Sequence, residues 1–122
     1  RFADTHAKWA LTPVWGMSQR LPRRVGLATA KKMMFTSETI TADEALRIGL
    51  CEAVFSQEEF FEQVELLAHT TLSNSVFSHA ANKRMLDATD SQPLDAGLQR
   101  EVMENEGVGP DMQQRVEAFT KR

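Results

Sequence analysis

The chain has 122 residues, 42% of them hydrophobic and 25% charged, with 14 Lys plus Arg against 17 Asp plus Glu for a net charge of -3. That length suits one domain or part of a larger one, and so ordinary a composition excludes a disordered or membrane-embedded chain. The slightly acidic balance gives no reason to expect nucleic acid as a partner, and no apolar run approaches the roughly 20 residues that a membrane-spanning helix needs.

In chain order, residues 1–16 show no helical period and contain Pro13 and Gly16, which predicts a short extended piece around Arg1 to Asp4 and then an irregular loop. The absence of an initiator Met and of a charged-then-apolar leader leads us to expect a fragment or processed chain, not a secreted one. Ser18 is placed to cap a helix over Gln19 to Val25, with Pro22 in its first turn and Gly26 at its end. Leu27 to Phe35 follows as a second helix with Ala30, Met33 and Met34 on one face, the Met pair filling core or forming a flexible ligand-contacting wall.

Thr41-Ala42-Asp43-Glu44 matches a capping box, in which the Thr hydroxyl takes the Glu44 N–H and the Glu44 carboxylate reaches back to Thr41. The helix it opens should stop at Gly49. Leu50 to Phe55 reads as a short strand. The lone cysteine, Cys51, fits a reducing compartment and reads as a packed thiol before it reads as a nucleophile.

From Gln57 on the pattern is helical. Phe60, Phe61, Val64 and Leu67 form one stripe, Val76, Phe77, Ala80 and Met85 a second, and Leu94, Leu98 and Val102, after Pro93, a third. Gly107-Val108-Gly109-Pro110 breaks the pattern, and Asp111 should cap a last helix carrying Met112, Val116 and Phe119. Each amphipathic helix needs a surface to bury its stripe against, and a chain of this size offers limited core. His69 and His79 have no companions at metal-ligand spacing, so no metal is expected.

Several separated motifs then occur in one family's order. Phe2-Ala3-Asp4-Thr5-His6-Ala7, Leu11-Thr12-Pro13 and Trp15-Gly16-Met17-Ser18-Gln19-Arg20-Leu21-Pro22 lead into Met34-Phe35-Thr36-Ser37-Glu38 and Ile40-Thr41-Ala42-Asp43-Glu44-Ala45, and Ala118-Phe119-Thr120-Lys121-Arg122 closes the chain. Together these resemble the crotonase (enoyl-CoA hydratase/isomerase) superfamily, whose corresponding middle block reads T-G-x-x-I-x-A-x-E-A-x-x-x-G-L-V. The resemblance implies an α/β crotonase-like fold with a β/α spiral core, of which residues 1–56 would be the C-terminal part. Residues 57–122 would be a C-terminal helical oligomerisation region, packing into a trimer or a dimer of trimers. This chain itself should be predominantly α-helical.

The same resemblance implies an acyl-CoA substrate, with CoA as part of the substrate and no separate cofactor. The chemistry would be that of a lyase, hydrating or dehydrating an α,β-enoyl-CoA through a stabilised thioester enolate. The compartment would be cytoplasmic, or the mitochondrial matrix in a eukaryote. The family's oxyanion donors and first catalytic Glu belong to an N-terminal half that has no counterpart in residues 1–122, so this chain alone is expected to be inactive.

His6 falls where typical hydratases, reading Phe-Gly-x-Pro-Glu, place their second catalytic acid. Imidazole, with an ordinary pKa of about 6.5, can take or give a proton at neutral pH. His6 is therefore either a proton-transfer group or a pocket-wall histidine. Asp4 is the nearest carboxylate; it reads as solvated or capping a turn, with an Asp4–His6 pair the less favoured arrangement. Val14 replaces the carboxylate that some related isomerases and dehalogenases place near this Pro.

Trp9, Pro13 and Trp15 belong to the loop that, by the resemblance, walls the acyl site, although plain packing also accounts for the tryptophans. Phe119, Lys121 and Arg122 would reach CoA from the last helix, or the two basic residues would simply complement the helix dipole. Two other functions stay open: a non-catalytic acyl-CoA-binding or oligomerisation module, and an acyl-CoA thioester hydrolase using His6.

Overall fold

The computed structural model describes residues 1–121 of the chain. They form two compact units, one covering Arg1–Phe60 and the other running from Phe61 onward. The chain is mostly helical, as its sequence pattern predicts. The helices are α1 (Met17–Val25), α2 (Leu27–Thr36), α3 (Ala42–Arg47), α4 (Phe60–Leu72), α5 (Val76–Thr89), α6 (Leu94–Met103) and α7 (Met112–Thr120).

In the first unit, α1 and α2 are joined by Gly26 alone, at φ 81° and ψ 154°. A side chain would resist that backbone, and Gly adopts it freely. Gly26 closes α1 by donating its N–H to the Pro22 carbonyl (2.9 Å) and opens α2 by accepting from the Ala30 N–H (3.0 Å). The turn brings Leu21 against Ala30 and Met33, and Ile40 and Ala45 complete the buried cluster. Met33 is thus core, while Met34 and Cys51 pack partly buried against it.

Within the first unit, helix starts differ from expectation in two places. α1 begins at Met17 behind a left-handed Gly16, with no side-chain cap, so Ser18 lies inside the helix. Pro22 is then interior rather than in the first turn, and the Ser18 carbonyl receives no ladder bond from it. At α3 the capping box is half made. Thr41 Oγ1 accepts from the Glu44 N–H at 3.2 Å, but the Glu44 carboxylate holds Arg47 through two bonds of 2.6 Å. A guanidinium one turn on is a stronger partner than a backbone N–H.

The predicted strand over Leu50 to Phe55 does not form; these residues are irregular. A strand exists only by pairing its backbone groups with a neighbour, and none is present among the described residues. The extended N-terminal piece is real but minimal. Phe2 and Ile40 make a single antiparallel bridge, with N–H to carbonyl distances of 3.0 and 2.9 Å. That bridge moors the N-terminal segment to the core.

Ser37 ends α2 in the left-handed region (φ 49°, ψ 31°). It is buried, and its hydroxyl has no hydrogen-bond partner. The resembling block carries Gly at this place. Left-handed backbone costs a side chain about 1–2 kcal/mol and an unpaired buried hydroxyl about 1–3, against roughly 0.5–1 for the extra freedom of an unfolded Gly. Ser37→Gly is therefore expected to stabilise the first unit by about 1–2 kcal/mol. Tryptophan-monitored urea unfolding reads it, since both tryptophans, Trp9 and Trp15, lie in that unit; an unchanged or lower midpoint contradicts it.

In the second unit only Ala88 is buried among the apolar residues described. The expected stripes lie on the helices, but Leu67, Val76, Val102 and Phe119 are all more than half exposed. Asp111 stands at the start of α7 yet caps no N–H with its side chain. Its carboxylate instead pairs with Arg115 and accepts from the Ser75 hydroxyl at 2.9 Å, while Arg115 also reaches the Ser73 carbonyl at 2.7 Å. These bonds tie α7 to the turn before α5. Gly109 is required by close approach: a Cβ there would stand 2.9 Å from the Phe77 ring.

Candidate active site

After the bridge at Phe2 the chain folds into a short 3-10 turn over His6–Trp9. Asp4 organises it. Its Oδ1 accepts the backbone N–H of His6 at 3.0 Å, the two-residue reach of an Asx turn. The Lys8 N–H meets the Thr5 carbonyl at 3.1 Å, and the Leu11 N–H closes back on the His6 carbonyl at 3.0 Å. This geometry sends the His6 side chain back toward Asp4, so that Nδ1 lies 2.5 Å from the same Oδ1.

Asp4 thus caps a turn, as one of its predicted roles has it, but it is not solvated. The residue is only 4% exposed, and its Oδ2 is buried with no hydrogen-bond partner. Burial pushes the Asp4 carboxyl pKa up. The His6 backbone N–H, the His6 side chain and its charge outweigh burial and hold the pKa below the ordinary value. A lowered pKa means that the pair contributes stability above the usual carboxylate range and loses it as pH falls through the folded value.

His6 itself is partly exposed, with 15% of its side chain accessible against 2% for Asp4. Its ring stands edge-on to Trp15, with centroids 5.9 Å apart at 62°. Trp15 holds a left-handed backbone (φ 55°) immediately before Gly16 at φ 76°. A bulky residue adopts that conformation at a cost, and such strain gathers at functional sites. The Trp15 side chain is nevertheless 85% exposed. Trp9, Pro13 and Val14 are exposed along the same loop.

A cavity of about 610 Å³ opens beside this segment. Phe2, Ala3 and Asp4 form one side of it, and Leu21, Met33 and Arg20 are among the residues of the others. Asp4 is the one member of the Asp4–His6–Trp15 cluster that borders it; Trp9, Pro13 and Trp15 do not. On α1, Arg24 is engaged by Glu52 and the Leu50 carbonyl, and Arg23 by Gln19.

The sequence profile of the enoyl-CoA hydratase/isomerase family matches residues 1–120. The chain belongs to that family. Membership of the crotonase superfamily, expected from the opening block, therefore holds across nearly the whole chain. The short-chain-enoyl-CoA hydratase of Clostridium acetobutylicum is 33% identical over 109 residues, covering 89% of this chain and 41% of that protein. The crotonyl-CoA hydratase of Syntrophomonas wolfei is 33% identical over 84% of this chain and 39% of its own length.

A crystal structure of an enoyl-CoA hydratase from Bacillus anthracis superposes with a TM-score of 0.89 at 31% identity, over 96% of this chain and 46% of that one. The chain thus spans less than half the length of each of these three proteins. Within this enoyl-CoA hydratase/isomerase-family chain, Phe119 is 80% exposed on α7 and Lys121 follows that helix, exposed as well. Arg122 lies outside the described residues. No described helix is long and apolar enough to cross a membrane. Asp4 is the site residue whose part was underrated from sequence, although Asp-x-His is a spacing at which an Asx turn brings the two side chains together.

Proposed function

We propose that this chain acts, within an enoyl-CoA hydratase/isomerase-family protein, on acyl-CoA thioesters, adding water to an α,β-enoyl-CoA or removing it in reverse. His6 would be its proton-transfer group. The observation that carries this role is the hydrogen bond of 2.5 Å between His6 and a buried Asp4, in the segment where the family resemblance puts a hydratase acid. Burying a carboxylate is costly unless it is paired, and here its partner is an imidazole, a side chain able both to take and to give a proton.

In hydration, a water proton passes to His6 as the water oxygen bonds to the β-carbon. The double-bond electrons move onto the α-carbon and the thioester oxygen as an enolate. The imidazolium then returns a proton to the α-carbon. Stabilising the enolate oxygen needs preorganised donors, each contributing about 3–4 kcal/mol. By the resemblance those donors lie in sequence beyond this chain, so turnover is proposed to need it, on the same polypeptide or another. The exposed stripes of Leu67, Val76 and Val102 favour a role for residues 57–122 in homo-oligomer contacts, a trimer or a dimer of trimers. Phe119, Lys121 and Arg122 are proposed to meet CoA, and Trp9, Pro13 and Trp15 to line the acyl path.

The Asp4–His6 pair also favours a second reaction, thioester hydrolysis. There a water deprotonated by His6 attacks the thioester carbonyl, the carbon–sulfur bond breaks and the proton passes to the leaving thiolate. One experiment separates these. Full-length protein is incubated with crotonyl-CoA while conjugated-thioester absorbance and free thiol are followed together. Loss of absorbance without thiol is the expected result. Thiol release equal to substrate lost assigns hydrolysis, and saturable binding with neither change reduces the protein to an acyl-CoA-binding module.

A further inference from the structure

We propose that Asp4 is the positioning residue of His6, fixing the imidazole with its proton on Nδ1 and leaving Nε2 as the proton acceptor. The inference follows from one oxygen. Asp4 Oδ1 accepts the His6 backbone N–H at 3.0 Å and lies 2.5 Å from Nδ1 of the same residue. An ionised carboxylate only accepts. Nδ1 must therefore be the donor, and a neutral ring that carries its proton there has a bare lone pair on Nε2. Which imidazole nitrogen is protonated is set by the hydrogen bond the other makes.

The surroundings leave little else to decide the tautomer. Asp4 is 98% covered as a side chain and has no competing hydrogen-bond donor at Oδ2. The interactions with His6 hold its carboxyl ionised below the ordinary aspartate range. The Trp15 ring is the aromatic neighbour of the imidazole, with centroids 5.9 Å apart. Nε2 has no hydrogen-bond partner among the described residues, and it belongs to the half of the pair that retains solvent access.

The consequence, which rests on the proposed function, is that the neutral ring offers Nε2, and not Nδ1, as its base. The first proton to move at His6 then comes from water to Nε2, the order that water addition or hydrolysis requires. The imidazolium so formed lies against the Asp4 carboxylate, which stabilises it.

Long-range proton–nitrogen NMR of the full chain, uniformly labelled with nitrogen-15 and held at a pH where the rings are neutral, reads the tautomer directly. His6 is expected as the Nδ1–H form, with Nε2 unprotonated. His69 and His79, which make no such pair, provide internal comparisons. In Asp4→Ala, still folded by tryptophan fluorescence, the Nδ1–H form should give way to Nε2–H, and in full-length protein carrying the same change kcat on crotonyl-CoA should fall by about 10²-fold with KM changed less than about 3-fold. An Nε2–H ring in the unmutated chain overturns the inference whatever the variant does, as does an Nδ1–H ring that survives in folded Asp4→Ala. An Nδ1–H ring in a full-length protein that turns over no enoyl-CoA ester instead defeats the proposed function and keeps the positioning role.

Discussion

His6→Ala is expected to lower kcat on a competent enoyl-CoA ester by about 10²–10⁴-fold, the range typical of a lost general acid–base group, with KM changed less than about 3-fold. The split between the two constants matters. A wall histidine that merely shapes the pocket affects substrate and transition state alike, so its removal raises KM and spares kcat. A proton-transfer group acts only as the proton moves. The structure favours the second behaviour because His6 is held by Asp4 from both its backbone and its ring, while 15% of its side chain stays accessible. Added imidazole should restore part of the lost rate in His6→Ala, since the missing methyl-imidazole leaves a space of that shape beside Asp4. A variant within 3-fold of wild type in kcat removes His6 from the chemistry.

Ile40→Ala is expected to destabilise the first unit by about 2–4 kcal/mol, the usual cost of emptying a buried aliphatic site. Ile40 is 6% exposed and shares the core with Leu21, Ala30, Met33 and Ala45. A core this small has little to redistribute when one of its larger side chains is truncated. Its backbone carries both bonds of the bridge to Phe2, two residues before Asp4, so loss at Ile40 also loosens the mooring of the site. Urea unfolding followed by tryptophan emission measures the change. A midpoint shift worth less than about 0.5 kcal/mol, the scatter of neutral surface changes, contradicts this placement of the core.

Local chemistry made the helices readable. Apolar spacing located α2 and α4 to α7, and Thr41 marked the start of α3 because its hydroxyl does cap Glu44. Errors arose where two local preferences competed. Ser18 looks like a cap, but Gly16 reaches the left-handed turn at no steric cost and starts the helix earlier. Glu44 has the spacing to reach back to Thr41, yet Arg47 claims it. Ser56 and Glu59 show the opposite case: a Ser-x-x-Glu pattern not singled out from sequence, in which Ser56 Oγ accepts the Glu59 N–H at 3.2 Å and donates to its carboxylate at 2.8 Å.

The strand over Leu50 to Phe55 failed for a different reason. A strand is a property of a pair, and half of that pair is not within reach of a local pattern. The site was legible to the same degree. His6 stood out because of the residue type the resembling block carries there. The burial of Asp4 did not, because burial depends on contacts such as the Phe2–Ile40 bridge that join residues 38 apart. Exposure on Trp15 and on the second unit's stripes was equally invisible, since periodicity says which side chains share a face and not what covers it.

The most direct test of His6 as the proton-transfer group of an acyl-CoA enzyme is hydration of crotonyl-CoA in deuterated water by full-length protein, wild type and His6→Ala, followed by mass spectrometry of the product. The wild type is expected to give 3-hydroxyacyl-CoA carrying one deuterium at the α-carbon, with the rate of its appearance reduced about 10²-fold or more in His6→Ala. Equal rates of α-deuteration in the two proteins, or none above the uncatalysed background in either, would contradict that role for His6.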